Sequence, residues 1–553
     1  MEQGRLFLAI VLSFLVFVGW EFLFVDKQKV PPPVSQEEIV ESADSQTMDS
    51  DVIVPVEKPV QAPSERIATP GNFFGSLTVS TPLYQAKISE KGAAIVSLVL
   101  NDYRESVDKD SPNKELISEN NKSGMGLLNF SNKALPKISD AVFTTAFSEN
   151  SLDLRSAAQS ISFFWQSADG ILVEKRFTFY PDSYEIKMNV LLTNTSTRPF
   201  EEDLTVSMVN AGPKDSRQFS FEGPFAFVDN KLEEIKVKDL DEINSISGNI
   251  DWAGLSEQYF MSAIIPDAPS SSTVRLNYDE EQNLLKVTYV YPGKTLQPGA
   301  RQQFEHSLYI GPKQISILAA TGSHLEKAIN FGFFDFIAKP CLWLMNTIHD
   351  RFIPNYGIAI ILLTILFKLI FWPLGTKSYK SMAEMKRLQP LMTEIRQKYK
   401  DDKKKMNEEV MGLYKTYKVN PMSGCLPMLV QIPVFFAFYR MLYGSIELRH
   451  APFFGWINDL SAPDRLFSFD FTIPLMAPPY GIPVLTIIMG ATMFLQQKLS
   501  PPPGDPAQAK MMMMLPLVFT FIFINFPAGL VLYWLVNNVL SISQQYYITQ
   551  KTL

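Results

Sequence analysis

A lysine stands inside an apolar segment that is long enough to approach the width of a membrane. Lys368 lies in residues 357–373, which are otherwise mostly Ile, Leu, Phe and Ala. An ammonium group in such a segment costs several kcal/mol unless water or another group stabilises it. Thr364 precedes it by one helical turn, so both side chains project from one face of a helix. This face is expected to meet water or a partner, unless the Lys368 stem carries its charge to the nearby end of the segment.

Further polar side chains fall inside other apolar segments of the C-terminal half. They are Gln431, Thr520, Asn525, Asn537 and Asn538. A hydrogen bond between helices would explain each of them singly, at about 1 kcal/mol or less. A hydrated cavity shared with Lys368 would satisfy all of them together. The pattern favours a polar, positively charged site among apolar helices.

The sequence lacks the common signatures of covalent and metal chemistry. Cys341 and Cys425 lie far apart, and the four histidines show no metal-ligand spacing. The phosphate-binding loop, the nucleophile elbow and the zinc-protease helix motif do not occur in it. We therefore expect no catalytic residue, no cofactor and no bound metal.

The composition indicates a membrane protein with a soluble part. Of 553 residues, 46% are hydrophobic and only 19% are charged. Residues 1–25 carry Arg5 and then about twenty apolar residues, which predicts a retained transmembrane anchor rather than a cleaved signal. Residues 26–71 are rich in Pro, Ser and acidic residues, and they are predicted to form a disordered linker.

Alternating apolar and polar residues predict a large β domain over residues 72–320. The alternation is clear at residues 171–180 and 285–291, and many short strands with turn signals are typical of an antiparallel sandwich. Residues 26–326 contain 27 Lys and Arg against 42 Asp and Glu. This negative charge excludes binding of DNA or RNA by the domain.

Six transmembrane helices are predicted, one of them in the anchor. Residues 325–353 are expected to form an amphipathic helix at the membrane surface. The following core, residues 356–553, contains five apolar segments, at residues 356–373, 425–443, 481–495, 511–526 and 530–542. Several are short or contain Pro, so we expect a locally thin bilayer around them.

The charge of the loops predicts the orientation. Residues 375–420 contain twelve Lys or Arg, whereas residues 444–480 contain only two. The first loop is therefore predicted to be cytoplasmic and the second external. Six spans then place both termini in the cytoplasm and the β domain on the opposite side.

The basic loop at residues 375–420 has the pattern of a helical hairpin. Apolar residues recur every three or four positions on both sides of Asp401 and Asp402. Either its charges contact a partner or they only set the topology. The candidate contact residues are Lys377, Lys380, Lys386, Arg387, Arg396, Lys403, Lys404 and Lys405.

Three blocks with unusual placements of Pro and Gly carry a specific resemblance. They read Asn-Pro-Met-Ser-Gly-Cys-Leu-Pro-Met-Leu-Val-Gln-Ile-Pro-Val-Phe-Phe-Ala-Phe-Tyr at 420–439, Met-Lys-Arg-Leu-Gln-Pro at 385–390 and Phe-Pro-Ala-Gly-Leu-Val-Leu-Tyr-Trp at 526–534. Together they resemble the YidC membrane protein insertase family over residues 325–553. The order of anchor, linker and external β domain is similar to that of the Gram-negative bacterial branch.

This resemblance implies a monomeric insertase and chaperone of the bacterial inner membrane, with a periplasmic β domain. It would insert nascent membrane proteins, alone or with the Sec translocon, through a positively charged groove open to cytoplasm and lipid. Lys368 stands where the family usually has Arg, and Trp534 replaces the more usual Tyr. The implied groove and exit surface also include Thr364, Gln431 and Tyr533, to which the polar pattern adds Asn537.

Ribosomes, the signal recognition particle pathway and membrane lipid are further partners that the resemblance implies. The sequence ends at Leu553 without the long basic tail that some relatives use for ribosomes. We therefore expect ribosome contact at the helical hairpin.

Two other classes of function stay open. A transporter or channel would place Lys368 in a solute pathway, but it favours a through-going pore and Gly-broken helices in paired repeats, which the sequence lacks. An external sugar-processing enzyme would rest on the resemblance of the family's β domain to sugar-mutarotase sandwiches. Only His306 and scattered carboxylates would serve that chemistry.

Overall fold

The computed structural model describes residues 75–131, 137–213, 220–268, 270–417, 419, 426–500 and 506–552. The anchor and the linker predicted at residues 1–25 and 26–71 lie outside the described residues. The chain divides into two compact units, and every contact given below lies within the larger one, residues 68–502 and 511–553.

The first half of the described chain is built from strands. They are β1 (Ser76–Ser80), β2 (Tyr84–Ser89), β3 (Ala94–Arg104), β4 (Asn113–Ile117), β5 (Gly124–Phe130), β6 (Thr144–Thr145), β7 (Ser151–Asp153), β8 (Gln159–Gln166), β9 (Ile171–Phe179), β10 (Glu185–Asn194), β11 (Leu204–Ala211), β12 (Gly223–Val228), β13 (Lys231–Glu234), β14 (Ser245–Ser256), β15 (Phe260–Pro266), β16 (Ser270–Asp279), β17 (Leu284–Tyr291) and β18 (Arg301–Pro312). Almost all neighbours pair antiparallel, and the exception is the parallel pair β1–β7.

The strands form two layers that share one long strand. One layer runs β6–β8–β9–β10–β18–β15–β14–β12–β13. The other runs β14–β16–β17–β11–β5–β3–β2–β1–β7, and β4 pairs with β3. Strand β14 belongs to both because its first half, residues 245–250, pairs with β16 while its end, residues 253–256, pairs with β15. The predicted antiparallel sandwich is confirmed.

Strict alternation of buried and exposed side chains explains why these segments pair as they do. In β9 the side chains of Ile171, Val173, Phe177 and Phe179 are buried, and the intervening ones face outward. A period of two places one face of each strand on the core. The sequence pattern at residues 171–180 therefore predicted both the strand and its inner face.

A buried lysine ties the two layers together. Lys175 of β9 is fully buried, and its Nζ donates to the carbonyl oxygen of Gly92 at 3.1 Å and to those of Ala93 and Gly126 in the opposite layer. Burial lowers the pKa of Lys175. The three carbonyls oppose that effect because they match the three N–H donors of an ammonium group.

The neighbouring histidine is also buried. His306 of β18 is only 3% exposed. Burial, and then the charge of Lys175, lower its pKa to about 3. The ring is therefore neutral at physiological pH and enclosed by the core, in a position that no soluble sugar substrate reaches.

The second half of the described chain is mainly helical. Its helices are α1 (Ile315–Thr321), α2 (Asp335–Arg351), α3 (Tyr356–Ile370), α4 (Trp372–Lys398), α5 (Lys403–Thr416), α6 (Leu426–Gly444), α7 (Val484–Leu499), α8 (Pro506–Phe523) and α9 (Ala528–Thr552). A small hairpin of β19 (Leu466–Phe469) and β20 (Tyr480–Ile482) lies between α6 and α7.

A single amphipathic helix was predicted at residues 325–353, and the predicted start of this helix is wrong. Leu325–Ala328 and Gly332–Phe334 form short 3-10 turns, and the α-helix begins only at Asp335. Gly332 has a φ of +74°, a conformation that interrupts a helix and that glycine adopts without strain. The helix that follows does expose Phe336 and Trp343, at 69% and 67%, as an amphipathic surface helix should.

Among the described residues, no single helix is both long and apolar enough to cross a membrane. The bent pair α3 and α4, whose axes differ by 65°, passes that test jointly.

Lys175 provides a test of the β domain. Replacing it with Met should lower the free energy of unfolding by about 3 kcal/mol or more, because three buried carbonyls lose their donor. For a domain of this size, that corresponds to a fall in melting temperature of roughly 5–10 °C. Thermal unfolding of the full-length protein in detergent, followed by the circular dichroism of the strands, measures it. Lys187→Met, on the exposed face of β10, is the control, and an equal effect of both substitutions would contradict this role of Lys175.

Candidate functional site

Helix α3 presents Lys368 to the interior of the helical region. The helix is capped by Asn355, whose side-chain oxygen accepts a hydrogen bond from the N–H of Ile358 at 3.0 Å. Its apolar outer face exposes Leu366 and Leu369, at 40% and 59%. On the other face, the half-buried Lys368 donates from Nζ to Oγ of Ser541 on α9 at 2.6 Å.

Helix α9 supplies a continuous polar face. Four of its polar side chains are buried, and they are Asn538, Ser541, Gln544 and Gln545. With Asn537 they recur at intervals of three or four residues, so they line one side of the helix over roughly 12 Å. We call this set, from Asn537 to Gln545, the polar face of α9.

Side chains and backbone of four other helices meet this polar face. Gln431 of α6 donates from Nε2 to Oδ1 of Asn537 at 2.9 Å. Asn538 donates to Oγ1 of Thr492 on α7 at 3.2 Å. Gln544 donates to the carbonyl oxygen of Trp372 at the start of α4 at 3.1 Å. Together with Lys368 of α3, these bonds make α9 the common partner of the region.

Lys368 and Gln431 are connected through α9. Ser541, which accepts from Lys368, itself donates from Oγ to the carbonyl oxygen of Asn537 at 2.7 Å. The Asn537 side chain in turn accepts from Gln431, and Gln431 also hydrogen-bonds Tyr533. Three predicted site residues are thus joined to Lys368 in one chain of polar contacts.

Thr364 does not join that chain. It is 2% exposed, and its hydroxyl donates to the carbonyl oxygen of Ile360 in its own helix at 2.7 Å. A threonine hydroxyl in a helix commonly bonds the carbonyl four residues earlier. The prediction that Thr364 shares a face with Lys368 describes their spacing, but the two make no hydrogen bond with each other.

Tyr533 and Trp534 lie in an aromatic cluster beside the polar contacts. The Tyr533 ring stacks on Phe438 of α6 with centroids 4.7 Å apart. Trp534 meets Phe435 edge-on at 4.7 Å and Phe523 of α8 at 5.1 Å. Trp534 therefore holds α6, α8 and α9 together, while Tyr533 borders Gln431.

Asn525 was predicted to be polar inside an apolar span, and that prediction is wrong. Helix α8 ends at Phe523, and Asn525 binds the loop before β20, donating to the carbonyl of Leu475 at 2.9 Å and accepting from the N–H of Ala477 at 2.8 Å. Thr520, also predicted, bonds the carbonyl of Pro516 in its own helix at 2.7 Å. Among the described residues, neither side chain hydrogen-bonds the polar face of α9.

Three residues of the polar face of α9, Ser541, Gln544 and Gln545, are not among the predicted site residues. The predicted last apolar segment, residues 530–542, contains Ser541 but stops before Gln544 and Gln545, whereas α9 continues to Thr552. The signal was present, because Ser541, Gln544 and Gln545 continue the helical spacing that Asn537 begins. Serine and glutamine near the end of an apolar run look like a solvated terminus unless their period is counted.

The basic loop forms two helices interrupted at Asp401 and Asp402. Apolar side chains of α4 and α5 pack into a cluster of Leu388, Met392, Val410, Tyr414 and Val419. Of the predicted contact residues, Lys377, Lys380, Lys386, Arg387, Lys404 and Lys405 are exposed, whereas Arg396 is half-buried and its charge acts on Tyr414 of the cluster. The side chain of Lys403 lies outside the described part of the chain.

Family models match nearly all of the described chain. One described as "60Kd inner membrane protein" matches residues 347–553, and one described as "YidC periplasmic domain" matches residues 76–344.

Relatives match over their full length. A "Membrane protein insertase YidC" of Pelobacter propionicus is 40% identical over 561 residues, covering 99% of each chain. A protein of the same name from Geobacter metallireducens is 41% identical over 555 residues, covering 99% of this chain and 98% of the relative.

Solved structures also resemble the chain. An active YidC insertase crystal structure with the first transmembrane domain resolved is 19% identical with a TM-score of 0.38, covering 86% of this chain and 94% of that one. A galactose mutarotase related enzyme from Lactobacillus acidophilus is 12% identical with a TM-score of 0.31, covering 42% of this chain and 97% of that one.

Both halves of the chain are therefore accounted for by one family. The relatives that match end to end at about 40% identity are named as insertases and not as enzymes. The three sequence blocks had indicated the same family. The chain belongs to the YidC membrane protein insertases, an inner-membrane family with a periplasmic domain.

Proposed function

We propose that Lys368 and the polar face of α9 form the hydrophilic, positively charged groove through which this insertase moves the polar ends of nascent membrane proteins. The observation that carries the proposal is the chain of contacts from Lys368 through Ser541 and Asn537 to Gln431. It gathers polar groups from α3, α6 and α9 inside an otherwise apolar group of helices.

The reason for such a groove is the cost of moving peptide groups through hydrocarbon. Each peptide group without a partner costs several kcal/mol in a layer about 30 Å thick. The polar face of α9 extends over roughly 12 Å. A groove of that depth shortens the barrier without opening a pore through the membrane.

Lys368 would attract acidic residues of the passing segment. An ammonium group has three N–H donors, and Ser541 accepts one of them. The others can then bind a substrate carboxylate. Because an ammonium lacks the two-pronged geometry of the Arg that is usual at this place, the contact depends on charge more than on shape.

The apolar segment of the substrate would leave along the outer faces of α6 and α8. Helix α8 exposes Leu517, Val518 and Phe521, at 52%, 48% and 56%, a surface suited to a substrate helix or lipid. Transfer of the segment into lipid, at about 0.8 kcal/mol per buried CH2, makes release favourable. No covalent step is needed.

The helical hairpin would be the cytoplasmic docking surface. A cytoplasmic hairpin requires the predicted topology, with six transmembrane helices, both termini in the cytoplasm and the β domain in the periplasm. Its exposed lysines and arginines suit ribosomes, targeting factors or anionic lipid. Cooperation with the Sec translocon and action as a monomer are further parts of the proposal.

The charge of Lys368 gives the first functional test. Lys368→Arg should keep insertion, whereas Lys368→Glu should reduce it most for substrates with acidic tails, by about tenfold if one close charge contact is reversed. Insertion is measured in cells depleted of the native insertase, at matched expression. Lys498→Glu, an equal charge change at the exposed end of α7, is the control. Unchanged insertion by Lys368→Glu would remove the electrostatic role.

Thiol labelling separates a groove from the alternative of a channel. Gln431→Cys and Asn537→Cys should react with a membrane-impermeant reagent added on the cytoplasmic side only, because a partial groove is wetted from one side. Cys341 and Cys425 are first replaced by Ser and Ala. Phe454→Cys, in the predicted external loop and 61% exposed, should label from the periplasm. Labelling of the groove positions from both sides, with ion conductance in liposomes, would favour the channel.

The hairpin charges are tested without disturbing its core. Lys386→Gln, Arg387→Gln, Lys404→Gln and Lys405→Gln together should lower insertion and make the rest more sensitive to salt, since the lost contacts are electrostatic. Glu408→Gln with Glu409→Gln on α5 is the control for altered surface charge. Full insertion by the fourfold variant would leave the loop as a topology signal only.

A further inference from the structure

A polar concavity lies on the β domain, far along the chain from the groove residues. Four adjacent strands, β5, β11, β17 and β16, form its floor and present the face turned away from the sandwich core. Its volume is about 310 Å³, within the range of small-molecule sites.

The strand register brings hydroxyl and amide side chains to this face. Asn129, Thr205, Ser207 and Thr288 line the concavity and occupy neighbouring positions across three strands. Thr205 and Ser207 are only 7% and 1% exposed, although they lie on the outer side of their strand. The hydroxyls therefore form a recessed floor rather than an ordinary solvated surface.

The floor offers hydrogen-bonding capacity that its own contacts do not exhaust. Ser207 Oγ and Thr288 Oγ1 lie 3.0 Å apart. One of these two hydroxyls donates to the other, so the second O–H hydrogen remains free to meet a ligand. Thr205 donates to the carbonyl of Asn129 at 3.0 Å, which leaves its oxygen as an acceptor.

Positive charge borders this floor. Arg275 of β16 and Lys286 of β17 line the concavity, as does the amide of Asn277. Burial, and then the charge of Lys137, lower the pKa of Lys286, so a third cation lies close enough to act on it. Among the described residues, no carboxylate lines the concavity.

This charge is opposite to that of the surrounding domain. The 27 basic and 42 acidic residues of residues 26–326 make the region strongly negative. Two or three cations gathered at a recessed polar floor create a local site for an anion, since salt screens exposed charges that lie more than about 8–10 Å away.

We propose that this concavity is a binding site for a small anionic polyol, a molecule that carries one phosphate or carboxylate beside several hydroxyls. Arg275 and Lys286 bind the anion. Ser207, Thr288 and Thr205 bind the hydroxyls. A membrane lipid headgroup and a soluble sugar acid or sugar phosphate share this chemistry.

Calorimetry on the full-length protein in phosphatidylcholine nanodiscs tests the site, with glycerol 3-phosphate as the probe. Inorganic phosphate and glycerol represent the anion and the polyol alone, and both should bind more weakly. The double variant Arg275→Gln, Lys286→Gln should weaken glycerol 3-phosphate binding by about tenfold or more. The matched double variant Lys231→Gln, Arg301→Gln changes net charge equally, on exposed residues of β13 and β18, and should stay within about twofold of the unsubstituted protein.

A separate variant, Ser207→Ala, tests whether the hydroxyls of the floor bind the polyol. Ser207→Ala should bring the affinity for glycerol 3-phosphate close to that for inorganic phosphate, while the affinity for phosphate itself stays the same. Thermal unfolding confirms that each variant keeps its fold. Equal affinity of the unsubstituted protein for phosphate and glycerol 3-phosphate would overturn the polyol assignment. Absence of binding, or equal weakening by both double variants, would overturn the site.

The two sources of the ligand are then distinguished. Nanodiscs with phosphatidylglycerol should compete with the probe if the ligand is a lipid headgroup. Phosphatidic acid, with the same sign of charge and no glycerol headgroup, is the control. Competition by phosphatidylglycerol alone supports the headgroup, and undiminished probe binding in both nanodiscs supports a soluble ligand. Equal competition by both lipids would mean that the site reads charge only, against the proposal.

Discussion

The hydrogen bond from Lys368 to Ser541 constrains how the helices of the second half of the protein pack. An ammonium group among Ile, Leu and Phe costs several kcal/mol unless it is stabilised. The stabilising hydroxyl comes from α9, so α3 and α9 must stay in register for the charge to be tolerated. The other polar contacts of α9 fix that register, because Gln544 binds the start of α4 and Asn538 binds α7.

Close approach of helices supports the same arrangement. A Cβ on Gly375 would come within 3.0 Å of the Gln544 side chain, and one on Gly490 would meet Thr520 at 2.1 Å. Small residues let helices approach where polar groups must reach across. Gly375 therefore lets α4 approach α9, and Gly490 lets α7 approach α8. Aromatic contacts of Trp534 with Phe435 and Phe523 pack α9 against α6 and α8.

The sequence predicted the sandwich and the main polar residues because both depend on local pattern. Alternation at residues 171–180 needs no tertiary information, and Lys368 is conspicuous in any apolar segment. The helical spacing from Asn537 marks Ser541 as part of a polar face, but its contact with Lys368, 173 positions away, is a tertiary feature that the local pattern does not show. The start of α2 differs from the prediction because a glycine with positive φ interrupts a run that looks uniformly amphipathic.

The buried and half-buried lysines differ in how many of their N–H donors are occupied by partners within the protein. Lys175 gives its three N–H donors to three backbone carbonyls, so nothing is left for a ligand and the residue serves the fold. Lys368 donates one N–H to Ser541, and its side chain is half-buried. Lys286 stands beside hydroxyls in an open concavity. A cation whose donors are saturated by the backbone stabilises, whereas one held by a single hydroxyl stays available.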